Sequence, residues 1–290
     1  MLEAMQKTAK KGCIVSCHCE DPSLASAARP FRQKALELMK QYAIPAWGVN
    51  SKGEKNLPPE IDAEITQNLT KANELLAAAE DSCTERNLLL AEIAGCHVHI
   101  AHCSTKKSIQ AVCRAKLRQK NGGFSVSCEV TPHHIALTGT AAPEIRALVN
   151  PPLRSEEDRT ALIEALRDGT ADVISTDHAP HTMDDKANGS PGFSGIETSY
   201  AVCNTVLVKQ NGFSEKKLSA LMSANPALLL KLNKGLLQPG FDADLVLVNP
   251  NEKWTVHGTD FFSKGKATPF EGKEVIGRVC ATFIDGIKVF

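Results

Sequence analysis

The chain has 290 residues, 42% of them hydrophobic, which is enough to bury a globular core. Its 33 Lys and Arg residues balance its 33 Asp and Glu residues without a long run of either sign, which argues against a nucleic-acid-binding or membrane-surface protein. The N-terminus lacks the apolar segment of a secretory leader, and no stretch is long enough to span a bilayer. We therefore expect a cytoplasmic protein whose partners are small molecules or proteins.

Short apolar strands alternate with helical segments through the first part of the chain. In chain order the pattern predicts strand 13–17, helix 26–42, a polar stretch at 44–59, one or two helices over 62–94, strand 97–101, helix 107–119, strand 124–130, helix 156–167 and strand 172–175. Because helices of ten or more residues separate the strands, we predict parallel pairing and an α/β fold rather than a sandwich.

The character of the sequence changes after a loop rich in Gly, Ser and Pro at 188–195. Two helices are predicted to follow this loop, at 197–209 and 215–230, and short β-segments with an Asp285-Gly286 turn follow them. We place a domain boundary in the linker 235–240. The predicted units are therefore residues 1–234, with α/β architecture, and residues 235–290, a small β appendage.

Ten cysteines are scattered along the chain without a Cys-x-x-Cys pair. A chain of this length does not need disulfide bonds for stability, so we predict reduced thiols, as in a cytosol. Cys17 and Cys19 flank His18, which could suggest a thiolate zinc site. Neighbouring residues of a strand point to opposite faces, so we expect the two cysteines to point away from the histidine.

Polar side chains follow three of the predicted strands at the point where each strand ends. His18 follows the first strand, His102 the second and Asp177 the fourth. Parallel barrels and sheets place their chemistry at the carboxyl ends of the strands, so we expect these side chains to lie together. Two imidazoles and a carboxylate suit a divalent ion such as zinc, which acidifies water for attack on a carbonyl or amide carbon. Asp177 can then act as the catalytic proton carrier to a leaving nitrogen.

Other histidines of the chain have simpler explanations. The segment 97–99, His-Val-His, imitates a paired-histidine metal motif, but in a regular strand both histidines point to the face opposite His102. We interpret them as structural, and we interpret His133 and His134, which follow a proline, in the same way. Asn150 can be a turn residue or part of a site.

Six motifs occur in order along the chain. They are SCHCED at 16–21, HIAHCST at 99–105, EVTPHH at 129–134, NPPLRSEEDR at 150–159, TDHAPH at 176–181 and GIET at 195–198, followed in the tail by DADL, WTV and PFEG. Together they closely resemble dihydroorotase of the amidohydrolase superfamily. The resemblance implies a zinc-dependent barrel enzyme of pyrimidine biosynthesis, which opens or closes the cyclic amide that links dihydroorotate and N-carbamoyl-aspartate.

The resemblance also implies roles for single residues. His18 and His102 match the metal-binding histidines at the ends of barrel strands five and six, and Asp177 matches the strand-eight ligand and proton shuttle. The implied substrate contacts are Asn150, His181 and the loop that contains Pro191 and Gly192, which closes over the pyrimidine ring with backbone groups.

Part of the family pattern does not occur in this sequence. The family begins with a β-segment and a first barrel strand ending in His-x-His and an arginine, and its fourth strand usually supplies a lysine or an aspartate. We therefore expect a partial TIM-like (β/α) barrel, strands five to eight, with open edges and an exposed apolar interior. Such a chain is expected to need a complementary N-terminal half or an oligomer. Residues 29–80 are longer and more polar than the family's loop and have no functional assignment.

Three functional hypotheses stay open. The first is dihydroorotase-type, zinc-dependent chemistry carried by a fragment or one chain of a split enzyme. The second is a related cyclic amidohydrolase such as a hydantoinase or an allantoinase, although the motifs at 131–134 and 150–154 favour dihydroorotase. The third is a non-catalytic, dihydroorotase-like assembly partner of aspartate transcarbamoylase, against which the retained His18, His102, Asp177 and His181 argue mildly.

Overall fold

A parallel four-stranded sheet lies at the centre of the molecule. A computed structural model describes residues 1–42, 58–119, 124–139 and 148–290, so most of the predicted polar stretch at 44–59 lies outside the described residues. The strands are β1 (Ile14–Cys17), β2 (His97–Ile100), β3 (Ser125–Val130) and β4 (Val173–Ile174). They lie side by side in chain order, and all three pairings are parallel. The predicted strands, their parallel pairing and the α/β class are confirmed.

Helices precede, connect and follow these strands. In chain order they are α1 (Leu2–Lys11), α2 (Pro22–Gln41), α3 (Pro59–Ala94), α4 (Lys106–Gln119), α5 (Pro132–Ala136), α6 (Glu156–Asp168), α7 (Met183–Ala187), α8 (Ser199–Cys203), α9 (Glu215–Ser219) and α10 (Asn225–Leu229). A π-helical segment, Asn204–Gln210, continues α8, and another, Ala220–Ala224, joins α9 to α10. None of the helices in the described ranges combines the length and the apolar character needed to cross a bilayer.

The two long helices α2 and α3 begin before their predicted positions. Helix α2 begins four residues before the predicted position because Asp21 accepts hydrogen bonds from the backbone N–H groups of Ser23 and Leu24 and Pro22 occupies the first turn. Helix α3 is one helix of 36 residues. Small apolar clusters join the two helices, such as that of Leu38 and Leu69. The unassigned stretch 29–80 therefore includes most of a packed helical pair.

The two faces of the parallel sheet differ in chemistry. Val98, Ile100 and Val126 belong to the main buried hydrophobic cluster, which also contains residues of α3 and α4. The alternate residues carry polar side chains, and Ser127 Oγ lies 2.9 Å from Nε2 of His97 and 2.8 Å from Nδ1 of His99. The expected apolar interior is therefore wrong for β2 and β3, because hydrogen-bonding side chains occupy that face.

The C-terminal part forms an antiparallel sheet of β5 (Leu245–Thr255), β6 (Glu274–Ile284) and β7 (Ile287–Lys288). Asp285 and Gly286 both have positive φ, 50° and 77°, which confirms the predicted two-residue turn.

The C-terminal part also shares the core of the rest of the chain. Val256, Phe261, Phe270 and Val275 belong to the same hydrophobic cluster as the strands of the parallel sheet. The division at 235–240 stays a prediction, because both sides of it contribute to one core.

Candidate metal and substrate site

His18 and His102 meet at the carboxyl end of the parallel sheet. Their rings are in edge-to-face contact, and Nδ1 of His18 lies 2.9 Å from Nε2 of His102. Residue Cys17 of β1 lies opposite Ile100 of β2, so the residues that follow the two strands emerge at the same end. His102 has a left-handed φ of 35°, which breaks the alternation of the strand before it. The structure therefore brings together the two histidines that the sequence predicted as metal ligands.

Glu129 holds the backbone of His102 in this conformation. Its Oε1 accepts a hydrogen bond of 3.2 Å from the His102 backbone N–H, and its Oε2 lies 3.0 Å from Nε2 of His99. A residue held in a sparsely populated backbone region costs on the order of 1–3 kcal/mol, so fixed contacts of this kind are needed to maintain it. The interpretation of His97 and His99 as structural agrees with their contacts to Ser127 and Glu129.

Electrostatics distinguish the two histidines. The Glu20 carboxylate, 3.9 Å from Nε2 of His18, raises the pKa of that imidazole. Burial, together with the neighbouring His18, lowers the pKa of His102, so His102 is neutral at pH 7 and can offer a nitrogen lone pair. Cys17 and Cys19 are buried in the main hydrophobic cluster, where Cys19 accepts a hydrogen bond from Asn87 of α3, whereas His18 is about half exposed.

Asp177 lies beside the histidine pair. It follows β4, has a positive φ of 49°, and its charge affects the pKa of both His18 and His102. Burial raises the pKa of Asp177, and the nearby Glu129 adds to this rise, while the two histidines oppose it. Asp177 is therefore a better proton acceptor than an exposed aspartate.

The histidine pair fits a shared ion. Nδ1 of His18 and Nε2 of His102 are within hydrogen-bond distance of each other, 2.9 Å. Two nitrogen ligands of one tetrahedral zinc lie about 3.3 Å apart, so the pair would open by about 0.4 Å to bind an ion. The described ranges contain no group of three His, Cys, Asp or Glu side chains arranged to hold an ion. The pair therefore supplies two ligand positions, and Asp177 is close without completing a ligand set.

The predicted substrate contacts form a second group of residues. Arg32 donates from Nη1 to Oδ1 of Asn150 at 2.7 Å and from Nη2 to the carbonyl of Val149 at 3.2 Å. The backbone N–H of Gly192 donates to the carbonyl of Leu148 at 2.9 Å. The segment 148–150 is thereby joined both to α2 and to the predicted substrate loop.

The backbone of the predicted substrate loop bonds largely to the protein itself. Besides Gly192, Phe193 accepts from the Ala179 N–H and Ser194 donates to the Ala267 carbonyl. Gly192 has a φ of 111°, and a Cβ there would lie 2.8 Å from the Cβ of Ala179 and 3.4 Å from Nε2 of His181. Gly192 and His181 are thus neighbours, while Pro191 is exposed. The backbone contacts of this loop with a ring stay a prediction.

Comparison with known proteins identifies the family. The pattern described as "Amidohydrolase family" matches residues 60–289. The chain belongs to the amidohydrolase family. Among curated relatives, a protein named dihydroorotase from Clostridium botulinum is 47% identical over 209 residues, which cover 72% of this chain and 50% of that protein. One of the same name from Lactobacillus johnsonii is 37% identical over 299 residues, covering 100% of this chain and 62% of the relative.

Solved structures of a hydantoinase and a dihydropyrimidinase share the fold. An L-hydantoinase (dihydropyrimidinase) from Arthrobacter aurescens superposes with a TM-score of 0.79 at 26% identity, and a dihydropyrimidinase from Brevibacillus agri with 0.75 at 21%. Each match covers 99% of this chain and 59% of the other. The chain thus spans about half to three-fifths of the length of the relatives it matches. The resemblance to dihydroorotase predicted from the six motifs is confirmed.

Several residues of the candidate site were not predicted from the sequence. Glu20 and Glu129 lie at or just after strand ends, so the rule that located His18 could also have located them. Arg32 and Lys186 lie within helices, where neither periodicity nor a motif marks them. Their importance comes only from the tertiary contacts of their side chains.

Lys186 is fully buried and is hydrogen-bonded to the predicted substrate loop. Its Nζ bonds to the carbonyls of Ser190 at 2.6 Å, Gly192 at 2.7 Å and Leu148 at 3.3 Å. Burial, with a smaller effect of Arg32, lowers the pKa of Lys186 to about 8, and the three carbonyl oxygens favour the charged form. At neutral pH the side chain is therefore an ammonium ion that fixes three backbone carbonyls.

We expect Lys186→Met to destabilise the protein by about 2–3 kcal/mol, because it removes charge-assisted hydrogen bonds and leaves buried carbonyls unpaired. Urea unfolding would measure the loss, and limited proteolysis would report cleavage near residues 188–192. Lys216→Met, at an exposed position of α9, is the control and should change neither. Equal stability of the two variants would contradict the assigned role of Lys186.

Proposed function

We propose that this chain carries dihydroorotase-type chemistry, the reversible hydrolysis of the cyclic amide of dihydroorotate to N-carbamoyl-aspartate. The observation that carries the proposal is the meeting of His18 and His102, with 2.9 Å between their nitrogens and Asp177 beside them. Relatives named dihydroorotase, 36–47% identical to the chain, support the substrate class. The structural likeness to a hydantoinase fits a related cyclic amide equally well but does not favour it.

The cofactor in this proposal is zinc, for which His18 and His102 would supply two ligands. The nearby Asp177 carboxylate would supply the third when the ion is bound. When bound, zinc lowers the pKa of a water molecule to near neutrality. The neutral state of His102 suits it as a ligand, and Glu129 keeps its backbone in place.

Asp177 is the proton carrier in the proposed reaction. Its raised pKa lets it take a proton from the attacking water and deliver that proton to the amide nitrogen as the ring opens. Asn150 and His181 bind the substrate, and the loop with Pro191 and Gly192 covers it. Lys186 holds this loop against the segment that carries Asn150.

We further propose that the four strands are strands five to eight of a TIM-like barrel. Residues 1–234 form this part, and residues 235–290 a small β domain packed against it. Within the described residues β1 and β4 each pair on one side only, so a complementary segment, or a second chain, can add strands there. The polar inner face of β2 and β3 suits a site lined by both parts. Aspartate transcarbamoylase is the alternative partner if the chain is not catalytic.

The test is dihydroorotate hydrolysis by the chain with zinc, alone and mixed with the segment of the Clostridium botulinum relative that this chain does not match. Turnover that Asp177→Asn abolishes supports the proposal, whether or not the added segment is needed. Faster turnover of hydantoin than of dihydroorotate would favour the hydantoinase alternative. A folded complex without activity on either compound would overturn the enzymatic proposal in favour of an assembly role.

A further inference from the structure

Arg32 reaches the candidate substrate site from a part of the sequence that had no assigned role. It lies on α2, and its guanidinium bonds through Nη1 to Oδ1 of Asn150 and through Nη2 to the carbonyl of Val149. A further donor, the Nε–H group, is buried and has no hydrogen-bond partner among the described residues. Arg32 therefore donates hydrogen bonds both to the side chain of Asn150, the candidate substrate contact, and to the backbone of Val149 beside it.

This contact fixes the orientation of the Asn150 amide. The oxygen and nitrogen of an asparagine side chain are nearly alike in shape, so their placement has to follow from hydrogen bonding. A guanidinium has only donors, so the Asn150 atom 2.7 Å from Nη1 of Arg32 has to be the carbonyl oxygen. The amino group of Asn150 is then the part of the amide left for a ligand.

The charges around Arg32 favour a ligand that accepts hydrogen bonds, as the free amino group of Asn150 does. Among the described residues no carboxylate forms an ion pair with Arg32, although the charge of Glu20 acts on it from farther away. Lys186 and Arg154 add positive charge close by. Burial lowers the pKa of Arg32 to about 10, so the guanidinium stays charged at neutral pH. A partly buried and partly uncompensated cation with spare donors favours an oxygen acceptor or an anion beside it.

We infer that Arg32 is a positioning residue, which holds Asn150 so that its amino group donates a hydrogen bond to a carbonyl or carboxylate oxygen of the substrate. The inference rests on the proposed substrate-binding role of Asn150. It adds a specificity rule, because a substrate with a donor at this place would face the amide's own donors and be rejected. Dihydroorotate offers both kinds of acceptor, its ring carbonyls and its carboxylate.

The test compares KM and kcat of the active protein, alone or with the complementary segment, for wild type, Arg32→Met and Arg32→Lys. We expect Arg32→Met to raise KM for dihydroorotate by about tenfold or more with a small change in kcat, since binding loses an oriented hydrogen bond. Arg32→Lys should recover part of the loss. Arg29→Met, an exposed position of the same helix, is the control and should leave KM unchanged.

A double substitution shows whether Arg32 acts through Asn150. In an Asn150→Ala background we expect Arg32→Met to change KM less than about twofold, because the amide that it orients is gone. An equal loss in both backgrounds would overturn the inference, as would an unchanged KM in Arg32→Met. Either result would leave the proposed function standing, since wild type would still be active. An inactive wild type overturns the proposed function, and the inference falls with it.

A second substrate identifies the oxygen that Asn150 contacts. Dihydrouracil has the same ring as dihydroorotate without the carboxylate. If Arg32→Met raises KM equally for both substrates, the acceptor is a ring carbonyl. If it raises KM only for dihydroorotate, the acceptor is the carboxylate. Both results support the inference, whereas an increase in KM for dihydrouracil alone would overturn it.

Discussion

Replacing His102 with alanine is expected to lower the affinity of the chain for zinc by more than about 100-fold, because losing only an outer-shell partner of a metal ligand typically costs ~10–100-fold. His102 is suited to this role by its neutral state and by the 2.9 Å between its Nε2 and Nδ1 of His18. Competition with a chromophoric chelator measures the affinity directly, without any need for turnover. In an active enzyme the same substitution should abolish turnover.

The control for this experiment is His97→Ala. His97 lies on the same strand but bonds to Ser127, on a different part of the sheet face. The His97→Ala substitution should leave the affinity for zinc within about twofold of the wild-type value, since a side chain that is not a ligand adds little to binding. His18→Ala should lower the affinity for zinc as much as His102→Ala does. Unchanged zinc binding by His102→Ala would contradict the metal assignment, and equal losses from His97→Ala and His102→Ala would indicate general unfolding.

The sequence predicted the strand ends of the site because local patterns determine them. An apolar run that stops at His18 or His102 marks the carboxyl end of a buried strand, and parallel pairing then brings these ends together. The length of the intervening helices was also a local property. For this reason the parallel pairing and the meeting of the two histidines could both be anticipated without any knowledge of tertiary contacts.

Contacts between distant segments could not be predicted in the same way. Arg32 and Asn150 are separated by 118 positions, and neither periodicity nor charge pattern relates them. The expected apolar interior was wrong for a different reason. Barrel interiors are usually apolar, but in this chain polar residues alternate along two strands. His97 and His99 lie on one face of β2, and Ser127 and Glu129 lie on one face of β3, which indicates a polar face.

The largest stability effect is expected at a buried ion pair that supports the site. Glu80 of α3 and Arg154 are only 3% and 7% exposed, and Nη2 of Arg154 lies 3.1 Å from Oε2 of Glu80. Glu80 also accepts hydrogen bonds from the N–H groups of Ser104 and Thr105, just after His102, while Arg154 follows the Asn150 segment. One pair therefore joins α3 to both groups of site residues.

We expect Arg154→Met to cost about 3–5 kcal/mol of unfolding free energy, because it leaves the buried Glu80 carboxylate without its cation. Arg114→Met, which breaks an exposed pair with Glu85, should cost less than about 1 kcal/mol. The double variant with Glu80→Gln should lose less than the sum of the single losses, since the second change removes the unpaired charge. Denaturant unfolding measures wild type, both single variants, the double variant and the Arg114→Met control, and strictly additive losses would contradict the coupling.

The same pair predicts how stability changes with pH. Burial alone would raise the pKa of Glu80, but Arg154 and the hydrogen bonds from Ser104 outweigh it, so the folded-state pKa lies below the ordinary value of 4.5. A carboxyl group with a depressed pKa stabilises the fold above its unfolded pKa, and this stabilisation is lost as the pH falls through the folded pKa. Wild type should therefore lose stability in acid more steeply than Glu80→Gln. If the free energy of unfolding fell equally steeply with decreasing pH in both proteins, Glu80 would not carry the charge assigned to it.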